Sequence, residues 1–502
     1  MPRAGPKQVP GVDVQLDNPD GIFLPGDTIS GVVVVDSTNP LSGGSINVHI
    51  KVYGRCKVLI VRNHGEGKDY FRGRASLFDI SFFVDGPPVS QTDNKESWRF
   101  SLQIPTHTVP CEIKSKINDV WKVNPKFLDN AEMDVSQHPL PGVFYYCGES
   151  GGTKGQCYVE YVLEASVRPS REVEDPNDKK KKKKKAPEIP TTILPFVVRT
   201  RSTEHPIQYS EYIQDQREDV RIRTLKLLPQ FATGAEQLGF KHSLKSVFQP
   251  SKIPSYFFDV KVVCPSTIQL DNPSSFPFRI SIVPKTDSTT KPSGSNNSSI
   301  FNGADVSKLP DVKITAFMLC LKMIPMMRAR MMVRKWDATT EKSHDFAISP
   351  DLPPHMVGYV IPREEPGSTY RHPDESNNLT GTEQYLDLGQ LLNMQVSRTH
   401  STRLEGDRNE FKTKRPLWPS FKTYNIHLQY QWKYKITIAC AGETQVVEGK
   451  QAVELIGQSE EQEQTVALDK QGIKKKWKEL MEGAEGVGEM IAIAGEIASE
   501  LD

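Results

Sequence analysis

Apolar and polar positions alternate with period two through most of the first 200 residues. Trp98, Phe100, Leu102 and Ile104 alternate with Ser97, Arg99, Ser101 and Gln103. Cys157, Val159, Tyr161, Leu163, Ala165 and Val167 alternate with Tyr158, Glu160, Val162 and Glu164. One apolar and one mixed face is the signature of half-buried antiparallel strands. Val12–Leu16, Thr28–Val35, 45–62 and 76–84 add further strands, with turn chemistry at Pro25-Gly26-Asp27 and Asp85-Gly86-Pro87-Pro88. Short strands punctuated in this way predict a sandwich.

The second half uses the same grammar. Tyr256–Val263 and 311–321 read as strands, and Tyr424, Ile426, Leu428, Tyr430, Trp432, Tyr434, Ile436 and Ile438 form the longest clean alternation. A strand that long and aromatic belongs in the centre of its sheet. The pentapeptide Gln-Leu-Asp-Asn-Pro occurs at Gln15–Pro19 and again at Gln269–Pro273, each time between strand-like stretches, which suggests a duplicated module. The fold class expected is all-β, with two immunoglobulin-like antiparallel β-sandwich domains.

From Ile473 the period becomes helical. Ile473, Trp477, Leu480, Val487, Ile491 and Leu501 fall on one face of an amphipathic C-terminal helix. Gly483, Gly486, Gly488 and Gly495 weaken it by roughly 1 kcal/mol each relative to alanine, so it needs a surface to fold against. Its lysines cluster at the start, and every charged residue from Glu479 onward is acidic. That order disfavours an anionic membrane and favours docking on protein.

The boundaries expected are a disordered N-terminus (1–10), a first sandwich (11–200), a hinge (201–216), a second sandwich (217–458) and a linker with helical tail (459–502). Polar insertions fall near 285–302 and 337–416. A Lys-rich loop, 169–190, interrupts the first sandwich, with strand-like residues resuming at Ile193.

With 502 residues the chain has room for two or three cores, and its formal charge of +1 provides no global field to attract nucleic acid. Seven scattered cysteines without a CxxC pair fit buried thiols in a reducing compartment better than a disulfide framework. The first residues lack the apolar run of a signal peptide, and no stretch approaches the roughly 18 apolar residues of a membrane span. A cytoplasmic protein is expected, and the Asn-x-Ser/Thr matches at Asn297 and Asn378 are then not expected to carry glycans.

Little in the chain carries chemistry. Gly148-Glu149-Ser150-Gly151-Gly152 matches the nucleophile elbow GxSxG, which requires a strand before it and a helix after it. The alternation from Cys157 favours a glycine-rich loop between strands, so a serine hydrolase using Ser150 is a remote alternative. The eleven histidines lack metal-ligand spacing, and no P-loop is present, so no catalytic, metal or cofactor site is expected. Lys179, Lys180, Lys181, Lys182, Lys183, Lys184 and Lys185 are the candidate electrostatic contact. They read as a solvated loop, as a contact to anionic lipid at about 1 kcal/mol per lysine, or as a nuclear-import or nucleic-acid signal. The absence of interleaved aromatics weakens the last.

Phe23-Leu-Pro-Gly-Asp-Thr-Ile-Ser-Gly-Val-Val-Val-Val35 and the segments 46–54, 138–142, 157–165, 423–430 and 436–442 together resemble the α-arrestins, or arrestin-related trafficking adaptors, of fungal type. The resemblance spans roughly Gly11 to Ile456. It implies the arrestin fold, two β-sandwiches joined by a short hinge. It also implies a non-enzymatic adaptor that recognises cytoplasmic segments of membrane transporters or receptors and links them to ubiquitination, endocytosis or sorting. Peripheral sites at plasma membrane or endosomes follow from it. Two departures stand out. The Pro-Pro pairs read Pro87-Pro88-Val-Ser and Pro353-Pro354-His-Met, without the tyrosine of the Pro-Pro-x-Tyr motif that recruits ubiquitin ligases. Visual and β-arrestins hold a buried polar core with an arginine ahead of the last N-domain strand; no arginine lies between Ala186 and Val198, so a phosphate-triggered release of that kind is not supported. An arrestin-fold scaffold of a sorting coat or signalling complex, without ligase recruitment, is the alternative.

Overall fold

The computed structural model describes residues 11–19, 21–36, 46–65, 67–84, 87–92, 95–109, 138–169, 191–200, 202–227, 253–285, 310–330, 337–341, 344–348, 352–364, 385–397, 400–401, 411–412 and 417–465. Within them the fold is nearly all β and mostly antiparallel.

The first half contributes two groups of strands. One sheet runs Val12–Leu16, Thr28–Asp36, Lys95–Gln103, Ser90–Thr92. The other runs Gly67–Val84, Ile46–His64, Thr153–Pro169, Thr191–Val198, Ile22–Phe23, with Phe144–Ser150 also paired to Thr153–Pro169. Alternation sets the faces: Ile29, Val33 and Val35 point inward from Thr28–Asp36, and Trp98, Phe100 and Leu102 from Lys95–Gln103.

The second half repeats the plan. Ile213–Arg223, Ser255–Pro265, Arg279–Pro284 and Leu386–Asp387 form one sheet. Against it lie Val312–Arg330, Ile426–Cys440, Glu443–Ile456 and Thr267–Gln269. Ile426–Cys440 is the central strand expected, flanked by Val312–Arg330 and Glu443–Ile456, with Trp432 fully buried and stacked on Phe276 at 5.3 Å. A single pairing, Arg330 with Arg72, runs the larger sheets of both halves together into one of 13 strands.

Three strands differ from expectation. Gly67–Val84 starts well before Ser76, and Val312–Arg330 continues past Leu321. The continuation Met323, Ile324, Met326, Met327, Arg328 and Ala329 is buried on both faces, so no alternation marks it. Ile213–Arg223 begins inside the segment read as hinge. Only Val220 and Ile222 of its charged sequence are buried, which leaves no apolar stripe.

The repeated pentapeptide does not occupy equivalent places. In each half, two antiparallel strands are separated by a short crossing strand that pairs in parallel with the last strand of the facing sheet. The crossing strand is Ile22–Phe23 on Val197–Val198 in the first half, and Thr267–Gln269 on Glu454–Ile456 in the second. Gln15–Pro19 precedes its crossing strand, whereas Gln269–Pro273 starts on the last residue of its own. The topology repeats, and the echo is offset from it.

Candidate functional site

Strand Ile46–His64 carries buried charge on one face and meets the second half with the other. Strand Ile46–His64 turns Cys56 and Val58 toward the core and Tyr53, Arg55 and Lys57 to the opposite face. Arg55 lies directly across from Glu160 on Thr153–Pro169, and the two form a hydrogen-bonded ion pair. Lys57 Nζ also reaches Glu160 Oε1 at 2.8 Å, and the Tyr53 hydroxyl donates to Glu164 at 2.8 Å. The Arg55 guanidinium sits over the Tyr53 ring at 4.9 Å, and Lys57 over Tyr158 at 5.1 Å.

This face, expected to be the mixed side of a half-buried strand, is closed off. Arg55 is 1% exposed and Glu160 0%. The second half packs on the other face, the one bearing Cys56 and Val58: Val312–Arg330 and Asp337–Glu341 lie against Ile46–His64, and Gly155, in register with Ile60, meets the side chains of Met327 and Thr340. Burial lowers the Lys57 pKa, against the pull of Glu160. Arg55 Nη1 and Nη2 and Glu160 Oε2 have no hydrogen-bond partner, so the pair carries much of its desolvation cost uncompensated.

Three further contacts cross the joint between the halves. Phe144 packs edge-on against Trp418 at 5.9 Å and Phe421 at 5.0 Å, and the Cys56 thiol bonds to Thr423. Burial pushes that thiol up to about 12.

The second fastening is the connection between the halves. Ser202 Oγ donates to the Gly457 carbonyl at 2.6 Å, and the amides of Glu460 and Glu461 donate to the carbonyls of Thr203 and Glu204. Gln269, fully buried, accepts the Ile207 amide at 2.9 Å and donates to the hydroxyls of Ser202 and Thr203 at 3.0 Å each. Asn272 donates to the Ile207 carbonyl and to Gln269 Oε1. Gln458 donates to the Asp271 carboxylate at 2.8 Å, and Gln462 to the Asp271 carbonyl. The connection, the second pentapeptide and the short helix Glu460–Thr465 thus form one hydrogen-bonded clasp.

Lys179 to Lys185 lie outside the described residues, between strands ending at Pro169 and beginning at Thr191. The tail face of Ile473, Trp477, Leu480, Val487, Ile491 and Leu501 lies outside them as well. Ser150 ends strand Phe144–Ser150, and Gly151 and Gly152, at φ 56° and 73°, turn the chain straight into Thr153–Pro169. That is a two-glycine hairpin without the following helix of a nucleophile elbow. Among the described residues no cluster of three or more His, Cys, Asp or Glu is placed to hold a metal ion, and no helix is long and apolar enough to cross a membrane.

Neither the buried ion pair nor the clasp follows from the sequence pattern. Arg55 and Glu160 stand 105 positions apart and Gln269 and Ser202 67 apart, with no local pattern linking them. Glu160 between Tyr158 and Val162, on a face with few other charges, was the one available signal.

Residues 12–124 match the family model of the arrestin (or S-antigen) N-terminal domain. The chain is arrestin-like. No curated protein matches it. The matched segment contains Val12–Leu16, Thr28–Asp36, Ile46–His64, Gly67–Val84 and Lys95–Gln103, which form most of the first half's two sheets. In this arrestin-like chain the most deeply buried ion pair among the described residues is Arg55–Glu160, built from strands other than Thr191–Val198.

Proposed function

We propose that the protein is a non-enzymatic, cytoplasmic adaptor that binds cytoplasmic segments of membrane transporters or receptors and brings them to ubiquitination and endocytosis. The observation that carries the reading is the arrestin N-terminal match over residues 12–124, since proteins of that family are generally non-enzymatic adaptors. The all-β architecture supports it, because sandwiches of this kind present strand edges and loops for recognition without a covalent step. Lys179–Lys185 supply a contact to anionic lipid at the plasma membrane or endosomes, or to acidic cargo.

A second reading is an arrestin-like scaffold of a sorting coat or signalling complex. The missing Pro-Pro-x-Tyr tyrosine favours it; residues 354–356 form a 3-10 turn that continues Pro353-Pro354 as His-Met. Affinity purification of the full chain from solubilised membranes separates the two. Transporters together with a ubiquitin ligase support the adaptor, coat or signalling components without a ligase support the scaffold, and neither set removes both. For the lysine run, serine replacement of all seven is expected to reduce binding to vesicles containing phosphatidylserine at low salt. Unchanged binding sinks that contact.

A further inference from the structure

The open side of the second half carries an unassigned groove. Among the described residues Ile213–Arg223 pairs on one side only, with Ser255–Pro265. Glu443–Ile456 pairs with Ile426–Cys440, and among the described residues its outer edge is paired only at 454–456, with Thr267–Gln269. Among the described residues its stretch 443–453 is therefore an unpaired edge. The two edges run side by side, tied by Gln214 Nε2 donating to the Ala452 carbonyl at 2.7 Å. Between them lies a groove of about 580 Å³ with Gln216 and Glu218 on one wall and Glu448, Gly449 and Lys450 on the other.

Two buried polar atoms on the lining of this groove have no partner. They are the Tyr434 hydroxyl and Gln216 Oε1. Tyr434 is 1% exposed and lies opposite Gly449 in the sheet, and a side chain at 449 would collide with its hydroxyl. Gln216 gives its amide N–H to Glu218, which leaves its carbonyl oxygen unspent. Buried groups in this condition cost about 1–3 kcal/mol each unless a ligand satisfies them. One unpaired hydroxyl donor beside one unpaired carbonyl acceptor is the complement of an amide group. The charges add a preference: Lys433 is paired to Asp345 and Lys435 to Glu448, while Lys450 is exposed and has no ion-pair partner among the described residues.

We propose that this groove binds an extended acidic peptide as an added strand on the 443–453 edge, with an amide group on Tyr434 and Gln216 and a carboxylate on Lys450. Main-chain pairing supplies affinity, and the Gly449 gap and Lys450 supply selectivity. The inference rests on the adaptor reading and names where a cargo segment sits.

The test uses the purified full chain and a fluorescein-labelled synthetic peptide of about ten residues alternating valine and glutamate around a central asparagine, the length of an ordinary strand. Fluorescence anisotropy is expected to show saturable binding, and the peptide is expected to slow amide exchange over 443–453. Tyr434→Phe removes a hydroxyl that bonds to nothing, so its urea midpoint stays at or above wild type while its Kd rises at least about threefold. Lys450→Glu raises Kd about tenfold. No saturable binding, slowed exchange elsewhere, or equal Kd for all three proteins overturns the proposal. So does slow exchange over 443–453 without peptide, which shows that the chain covers this edge itself. Because the probe is a synthetic peptide, failure here leaves the adaptor reading to the purification experiment.

Discussion

The same five residues, Gln-Leu-Asp-Asn-Pro, have different tasks at the rim of the first half and in the joint. At the rim, Gln15 is exposed and its side chain bonds to Asp13, Asp17 holds Ser30 and Arg99, and Asn18 closes a turn onto the Ile22 carbonyl. In the joint, Gln269 is fully buried, Asp271 adopts φ 58°, and Asn272 locks onto Ile207. The difference comes from what surrounds each copy. Gln15–Pro19 meets water, so its polar groups have alternatives, whereas Gln269–Pro273 is enclosed by the connection and the chain end. An identical local sequence is thus a turn in one place and a clasp in the other.

The largest effect is expected where two strands of the first half hold buried charge. Glu160→Ala leaves Arg55 buried and unpaired, and the urea unfolding free energy should fall by about 3–5 kcal/mol. The triple replacement Arg55→Met, Lys57→Met and Glu160→Leu, which leaves none of the three charges unpaired, should recover most of that loss. A triple variant as unstable as the single one would show that the charges are needed for more than each other.

Next comes the direct comparison of the copies. Gln269→Ala should cost about 3 kcal/mol and speed amide exchange at 202–207, since it strands the Ile207 amide. Gln15→Ala should stay within about 0.5 kcal/mol. A smaller contrast is expected at the asparagines, about 2 kcal/mol for Asn272→Ala against about 1 for Asn18→Ala. Equal losses at either pair of positions would break the distinction between rim and joint.

The last effect is a pH slope, and it is smallest near neutral pH. Burial raises the Cys56 thiol to about 12 and that of Cys440 to about 11, while an unfolded thiol titrates near 8.5. Above about pH 8.5 the unfolded chain therefore loses protons that the folded chain keeps. This contribution is full below that pH and declines through 11–12, by about 1.4 kcal/mol per pH unit per thiol. Urea midpoints at pH 7.5, 9 and 10 should fall in that order, and less steeply in Cys56→Ala. An unchanged slope would mean that Cys56, at the joint, is not sealed there.

Much of the fold was legible wherever one sheet face meets solvent. Thr28–Asp36, Lys95–Gln103 and Ile426–Cys440 follow their alternation, and the hairpin at Gly151-Gly152 follows its glycines. Legibility ended where both faces of a strand are covered. Met323–Ala329 and the face bearing Arg55 and Glu160 are buried on both sides, and period two marks only one-sided burial. The clasp was not legible because its partners meet only after the two halves are assembled, and the pentapeptide pointed to duplication although its copies are offset.

The adaptor account is tested most directly by quantitative surface proteomics of cells with and without the protein. A defined set of transporters or receptors should persist longer at the plasma membrane in its absence and return to normal turnover when the full chain is restored. A surface proteome with unchanged turnover would contradict the account.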